Sequence, residues 1–256
     1  MNAIIFRRAG VLALAGIALC ALPVLADDAA IQARVESRLR KAGLDRELDV
    51  RPAVKDGAVT LDGAVTTVAA RNAAEKAARK ESKTVFNRLR VVPELPRSDA
   101  EIRKDAEKAI LRYVHYDVFD SVGLGVQDGV VTLAGSVYQP NHKSDIEARI
   151  ARVPGVREIR SDVQVQSNSL FDEGLRRQIA YQVYGTDRFT NLNHASPPVR
   201  IIVDRGRVTL TGYVNSEVER VMIGNIARGT LAFAVDNQVK LDRDAHPEDK
   251  PKSQEI

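Results

Sequence analysis

The chain has no tryptophan, one cysteine and four histidines in 256 residues, and only 5% of its residues are aromatic. A single cysteine forms no intramolecular disulfide, so a small disulfide-stapled fold is excluded. The charges nearly cancel, with 38 Lys or Arg against 34 Asp or Glu, whereas nucleic-acid-binding proteins carry an excess of positive charge. The 44% hydrophobic content is sufficient for folded cores and excludes a disordered chain.

Sequence motifs for catalysis are also absent. The chain contains no G-x-S-x-G elbow, no H-E-x-x-H zinc motif and no P-loop. Among the histidines, His115 has a carboxylate, Asp117, at the spacing of a ligand pair. A pair of distant carboxylates, as sugar-cleaving enzymes use, would leave no motif. We therefore predict a binding protein rather than an enzyme, with no metal, no cofactor and no nucleic-acid partner.

The first 26 residues have the pattern of a secretory signal peptide. Arg7 and Arg8 precede an apolar stretch, and the small-residue exit ends at Ala26. An uncleaved membrane anchor is the alternative, but Pro23 interrupts an apolar run that is barely long enough to span a bilayer. We expect cleavage after Ala26 and a cysteine-free periplasmic protein that is peripheral to the membrane rather than spanning it.

The remaining chain repeats one unit three times. The repeat is marked by three similar strings, KDGAVTLDGAV at 55–65, QDGVVTLAGSV at 127–137 and DRGRVTLTGYV at 204–214. Their first glycines lie 72 and 77 residues apart, about the length of one small domain. The predicted domains are residues 27–95, 96–166 and 167–242, followed by a flexible tail at 243–256.

Each string predicts a hairpin turn followed by a strand. The turn dipeptides, which supply positive φ, are Asp56-Gly57, Asp128-Gly129 and the weaker Arg205-Gly206. Alternation places Val59, Leu61 and Val65 on a buried face. A second glycine of each string falls on the same face, where we expect it to let a helix backbone approach: Gly63, Gly135 and Gly212.

Helical spacing precedes and follows each hairpin, and a closing strand ends each unit. The first helix shows the pattern in Ile31, Val35 and Leu39. The predicted fold class is α+β, with three tandem two-layer αββαβ domains of about 70 residues each. Ser98 and Glu101 predict a capping box at the start of the second unit. Domains of this size are marginal alone, so we expect the units to pack on one another.

This order of elements, with its V-T-L-x-G-x-V strand and closing V-x-N-x-[LV]-x-[VL] strand, resembles the BON domain of bacterial osmotic-shock-protective and nodulation proteins. The resemblance covers residues 28–242, although Ser161 stands where the other units have Asn87 and Asn237. It implies a periplasmic module that associates with phospholipid surfaces or envelope proteins. It also implies a role in envelope integrity or stress protection and no catalytic residues.

The first unit is the basic one, with 14 basic and 11 acidic side chains. The candidate lipid contacts on its second helix are Arg71, Lys76, Arg79, Lys80 and Lys83. Each cation near an anionic membrane surface contributes about 1 kcal/mol of attraction. The alternative is an ordinary solvated helix face, which the narrow alanine stripe of this helix favours.

The third unit has an enlarged loop between its first helix and its hairpin. Its candidate contacts, Tyr181, Tyr184 and Phe189, either enter a membrane interface or partner, or fold back over the core. From the sequence as a whole we keep two hypotheses for the function. The first is a peripheral adaptor for anionic phospholipid, and the alternative is a chaperone-like module that binds envelope proteins through its sheet edges.

Overall fold

The computed structural model describes residues 22–44, 49–185 and 197–245. These residues form two compact units. One contains the described residues up to Val65 together with Ala70–Arg90, and the other contains Thr66–Ala69 and the described residues from Val91 onward. The first unit therefore holds most of the first repeat, and the second unit holds repeats two and three.

Repeat one begins with a long helix and has a sheet centred on its second strand. Its elements are α1 (Leu22–Lys41), β1 (Asp49–Lys55), β2 (Ala58–Val65), α2 (Val68–Ala78), β3 (Val85–Asn87) and β4 (Arg90–Val91). Strand β2 pairs antiparallel with β1 and parallel with β3, and it also pairs with β4. The predicted stripe of Ile31, Val35 and Leu39 is buried, as are the inward residues of β2.

Repeat two follows the same plan. Its elements are α3 (Asp99–Leu111), β5 (Ser121–Gln127), β6 (Val130–Val137), α4 (Pro140–Ile150) and β7 (Glu158–Val165). Strand β6 is central, antiparallel to β5 and parallel to β7. The predicted capping box is confirmed, because Ser98 Oγ accepts the Glu101 N–H while the Glu101 carboxylate accepts the Ser98 N–H.

Repeat three completes the series, so the predicted order of helix, strand, strand, helix, strand is confirmed in all three repeats. Its elements are α5 (Leu170–Tyr184), β8 (Val199–Asp204), β9 (Arg207–Val214), α6 (Glu217–Arg228), β10 (Ala234–Asn237), β11 (Lys240–Leu241) and α7 (Asp242–Ala245). Strand β9 is antiparallel to β8 and parallel to β10 and β11. The short α7 occupies the start of the predicted tail, whose remainder lies outside the described residues.

Asparagine interrupts the closing strand in repeats one and three. The Asn237 side chain donates to the Arg220 carbonyl at 2.9 Å and accepts the Val239 N–H at 3.3 Å, and Asn87 makes the equivalent bonds. The asparagine side chain thus accepts a backbone N–H that would otherwise hydrogen-bond to the neighbouring strand. In repeat two Ser161 makes no such bonds, its buried hydroxyl has no hydrogen-bond partner, and β7 runs unbroken for eight residues.

The hairpin turns have the predicted positive φ angles. Asp56 and Gly57 lie at 52° and 74°, and even the weaker third turn has Arg205 at 49° and Gly206 at 75°. A carboxylate from each repeat's first helix holds the turn. Asp172 accepts the N–H groups of Arg205 and Gly206 at 3.0 and 2.7 Å. Asp28 and Asp99 bind the other two turns in the same way.

The strand glycines serve a purpose different from the one expected. A Cβ on Gly135 would lie 2.1 Å from the Ser121 carbonyl oxygen, and Gly63 and Gly212 would meet the corresponding carbonyls at 1.6 and 1.9 Å. All three have positive φ, between 111° and 125°. The expectation that these glycines admit a helix backbone is therefore wrong, because the group that approaches them is the neighbouring strand of the hairpin.

Repeats two and three pack directly on each other, as expected for small domains. The Ile201 N–H on β8 donates to the Val118 carbonyl at 2.8 Å, and the Arg200 guanidinium donates to the Asp117 carbonyl at 2.7 Å. Gln166, in the linker, accepts the Val203 N–H and donates to the Phe119 carbonyl. Phe119 and Val118 also pack against the core of repeat three.

Candidate anion-binding groove

The basic segment of repeat one is shorter as a helix than predicted. Helix α2 ends at Ala78. The N–H groups of Lys80 and Glu81 bond the carbonyls three residues before them, which tightens the chain into a turn. The prediction that all five basic residues lie on this helix is therefore wrong for Arg79, Lys80 and Lys83.

The turn nevertheless brings Lys80 beside Lys76 at the rim of a groove between α1 and α2. The groove has a volume of about 400 Å³. Its residues are four cations, Arg38, Lys41, Lys76 and Lys80, and three alanines, Ala42, Ala73 and Ala77. Because the three alanines have small side chains, space remains open between the two helices. The alanine stripe of α2, which favoured an ordinary solvated helix face over lipid insertion, thus lines part of the groove.

The charge of the groove is predominantly positive. Glu81 accepts hydrogen bonds from Arg38 and from Arg34, and these bonds hold the pKa of Glu81 below its ordinary value. Lys41, Lys76 and Lys80 are exposed and form no ion pair within the described residues. The C-terminal ends of α1 and α2 each add about half a negative charge. Positive charge therefore remains in excess at the groove.

The other three predicted basic residues do not line the groove. Arg79 pairs with Glu75, one turn earlier, at 2.7 Å. Hydrogen bonds from Asn87 and then from Arg79 lower the pKa of Glu75. Arg71 provides the backbone carbonyl that Asn87 binds, and Lys83 is exposed in the segment before β3.

Repeat three has the same groove without the charges. Its lining residues are Gln182, Met222, Asn225, Ile226 and Gly229, around a volume of about 290 Å³. Gln182 stands before the last stripe residue of its helix, as Arg38 does in repeat one, and Asn225 stands where Lys76 does. The groove thus occurs in repeats one and three, and of these two grooves only that of repeat one is lined by cations.

In repeat two the same place is filled. The positions of the three alanines Ala42, Ala73 and Ala77 are taken by Tyr113, Asp145 and Arg149. The buried Tyr113 hydroxyl donates to Asp145 at 2.6 Å, and the Arg149 guanidinium lies 4.8 Å from the ring centre. Burial first, and then the bond to Asp145, raises the pKa of Tyr113 to about 12. Each side chain of this trio therefore binds another member of it.

The aromatic residues predicted at the enlarged loop have different positions. Tyr181 is exposed, whereas the Tyr184 hydroxyl donates to the Val199 carbonyl at 2.6 Å and accepts the Val199 N–H at 3.0 Å. Burial raises the pKa of Tyr184 to about 12. Tyr184 therefore folds back onto β8 rather than presenting its hydroxyl to a partner. Phe189 lies outside the described residues.

Sequence reasoning missed Arg38 and Lys41 because it examined each helix separately. The feature of the sequence that indicates these two residues is the run of basic side chains in the last turn of α1, which contains Arg38 and Lys41. It also missed that His142, with its Nδ1 2.8 Å from buried Asp120, stacks on His115. Within the described part of the chain no group of three or more His, Cys, Asp or Glu residues is arranged to hold a metal ion.

No helix among residues 22–44, 49–185 and 197–245 combines the length and the apolar character needed to cross a bilayer.

Two solved structures of CdsD, a structural protein of the type III secretion system of Chlamydia trachomatis, resemble the chain. One shows 14% identity over 87% of this chain and 99% of that chain, with a TM-score of 0.23. The other, its C-terminal domain, shows 12% identity over 82% and 96%, with a TM-score of 0.25. A search among curated proteins found no match.

The model of the BON domain matches three segments, residues 27–93, 98–167 and 189–243. BON domains are non-catalytic modules that bind phospholipids or proteins. The first two matches span repeats one and two, and the third spans repeat three without α5. Together they cover well over half of the chain, which therefore belongs to the BON-domain family.

Proposed function

We propose that this protein is a non-enzymatic adaptor that binds anionic phospholipid surfaces of the bacterial envelope and thereby supports envelope integrity or stress protection. The observation that carries the proposal is the groove of repeat one. Its four cations surround a space that is uncharged in repeat three and filled in repeat two. No packing requirement of the fold explains four cations there, because repeat three forms the same layers with the uncharged residues Gln182, Gly185, Asn225 and Gly229 at the four positions.

The groove suits a lipid headgroup better than a single small ion. Its cations come from two helices and from the turn after α2, so they present charge along a rim rather than converging on one point. Exposed cations near an anionic bilayer each contribute about 1 kcal/mol, and the sum for Lys41, Lys76 and Lys80, which form no ion pair within the described residues, is enough for reversible binding. Its small alanines leave space for the glycerophosphate part of a headgroup.

The compartment belongs to the same proposal. The pattern of residues 1–26 supports export across the inner membrane with cleavage after Ala26, and BON-domain proteins are often periplasmic. Removal of residues 1–26 would leave no cysteine, which suits that oxidising compartment. The protein would then meet the phospholipid surfaces that face the periplasm.

Co-sedimentation of residues 27–256 with vesicles tests the proposal. We expect binding to vesicles that contain phosphatidylglycerol, little binding to phosphatidylcholine alone, and weaker binding at high salt, since screening weakens attraction between exposed charges. Equal binding to both vesicle types, or no binding to either, would refute the lipid adaptor.

The alternative, protein binding through sheet edges, has less support at β8 of repeat three and at β1 of repeat one. On the open side of β8, the Ile201 and Val203 N–H groups already donate to Val118 and to the Gln166 side chain. In repeat one, Pro52 removes a donor from β1. Strand addition relies on backbone groups, so binding of this kind would respond little to salt.

A further inference from the structure

Repeat three carries a cluster of exposed apolar side chains at the end that holds its hairpin turn. The apolar end consists of Leu170, Phe171, Leu231 and Phe233, which are 91%, 40%, 79% and 77% exposed. The rings of Phe171 and Phe233 stack with their centres 5.3 Å apart. Clustered large apolar side chains in water are unfavourable unless they have a partner.

Contacts within the repeat bring three segments together at this end. The Phe233 N–H donates to the Gly206 carbonyl at 2.8 Å, and the Phe233 ring packs so closely on Gly206 that a Cβ there would lie 2.5 Å from it. Asp172, next to Phe171, binds the same turn through its carboxylate. The hairpin turn, the start of α5 and the segment before β10 therefore form one tip.

The other repeats have polar residues at these positions. In each repeat the valine of the V-T-L motif pairs with a residue of the closing strand. Two positions before that paired residue, repeat three has Phe233, repeat one has Lys83 and repeat two has Arg157. The residue before the turn-binding aspartate is Phe171, Asp27 and Ser98 in the same order. Because the fold forms in all three repeats, the apolar side chains of repeat three are not needed to build it.

Charge at the tip indicates the kind of partner. Arg205 and Arg207 flank Gly206, both are exposed, and neither forms an ion pair within the described residues. Both carboxylates at the turn accept backbone N–H groups: Asp172, which is fully buried, accepts that of Gly206, and Asp204, opposite Arg207, accepts that of Ser167 at 2.8 Å. Apolar side chains beside unpaired arginines match the boundary between the acyl chains and the headgroups of an anionic bilayer.

We propose that the apolar end of repeat three inserts into the headgroup and acyl boundary of an anionic phospholipid bilayer, with Phe171 and Phe233 as the inserted side chains. The proposal rests on the proposed function, because it assigns a second contact of the same lipid surface. It adds a salt-resistant apolar contact to the salt-sensitive attraction of the groove.

A tryptophan reporter tests the insertion directly. The chain has no tryptophan, so Phe233→Trp places the only one at the apolar end, and Phe86→Trp places it at an isolated exposed phenylalanine of repeat one, 53% exposed. Each variant of residues 27–256 is mixed with phosphatidylglycerol and phosphatidylcholine vesicles, with and without acyl-chain bromination. Sedimentation of the same samples reports binding.

We expect a blue shift and quenching by brominated chains for the Phe233→Trp variant and not for the Phe86→Trp variant. Replacing Phe171 and Phe233 by serine should weaken vesicle binding by about tenfold. Binding without quenching at position 233, or equal quenching at both positions, would overturn the insertion and leave the lipid adaptor standing. Absence of binding would overturn both. A blue shift that grows with protein concentration without vesicles would identify a contact between copies of the chain and also overturn the insertion.

Discussion

The carboxylate of Asp172 accepts the backbone N–H of Gly206 at 2.7 Å, across 34 residues of chain. The same bond joins Asp28 to Gly57 and Asp99 to Gly129, so in each repeat a carboxylate connects the first helix to the hairpin turn. Two turn N–H groups with no strand partner are thereby satisfied by one side chain. We infer that this clamp is a main local stabiliser of the repeat.

The clamp predicts a pH-dependent loss of stability in the Asp172→Asn variant. Burial opposes ionisation, but the hydrogen bonds from Gly206, the nearby serines and Arg205 keep the pKa of Asp172 below its ordinary value. A carboxylate with a lowered folded-state pKa stabilises the fold above about pH 4, and this contribution is lost as the pH falls further. At pH 7 the variant should lose about 1–3 kcal/mol of unfolding free energy.

Urea unfolding of the wild type and the Asp172→Asn variant at pH 7 and pH 3 measures this effect. The difference between the two proteins should shrink in acid. A difference of the same size at both pH values would show that the charge of Asp172 does not contribute.

A second prediction concerns the strand glycine of repeat two. Gly135→Ala forces a Cβ against the Ser121 carbonyl and places a side chain at a φ of 125°, so we expect a loss of more than about 3 kcal/mol. Gly125→Ala, on the neighbouring strand with open space around it, is the matched control and should change stability by less than about 0.5 kcal/mol. Similar stabilities of the two variants in chemical denaturation would contradict the close approach of the strands.

A third prediction concerns the contact between repeats two and three. Arg200 donates to the Asp117 carbonyl and lies 4.8 Å from the Tyr116 ring centre, so Arg200→Ala should cost about 1–3 kcal/mol and lower the melting temperature. Arg177→Ala, at an exposed arginine of the same repeat, should have little effect. If calorimetry shows both variants melting like the wild type, the two repeats do not stabilise each other through this contact.

Much of the fold could be predicted from the sequence because its signals are local. The Asp-Gly turns, the four-residue stripe of Ile31, Val35 and Leu39, and the capping box of Ser98 each depend on neighbouring residues, and each is found in the structure. The close approach of the Asp49 carbonyl to Gly63 could not be predicted, because it depends on how far β1 extends along β2.

The candidate site was only half predicted, for the same reason. Lys76 and Lys80 were chosen from the charge of one segment, whereas Arg38 and Lys41 join them only when α1 packs beside α2. The aspartate clamp leaves a signal in the repeated D-x-x-[IL] at Asp28, Asp99 and Asp172, which aligning the first helices of the repeats would have revealed.

A fourth prediction uses the uncharged groove of repeat three. In a chain whose Lys76 and Lys80 are replaced by glutamine, Gln182→Arg and Asn225→Lys place two cations in the equivalent groove. If the groove geometry and its charge together bind headgroups, these substitutions should restore part of the vesicle binding, by about fivefold per cation. Restoration to the same extent by two lysines placed elsewhere on repeat three would show that net charge alone determines binding.

The most direct test of the lipid adaptor compares two variants of equal net charge. Lys76→Gln with Lys80→Gln removes two cations from the groove, and Lys55→Gln with Lys83→Gln removes two exposed lysines of the same repeat that lie outside it. Binding to phosphatidylglycerol vesicles at low salt should fall by at least about tenfold in the groove variant and by much less in the control. Equal losses in the two variants would contradict the assignment of headgroup binding to the groove.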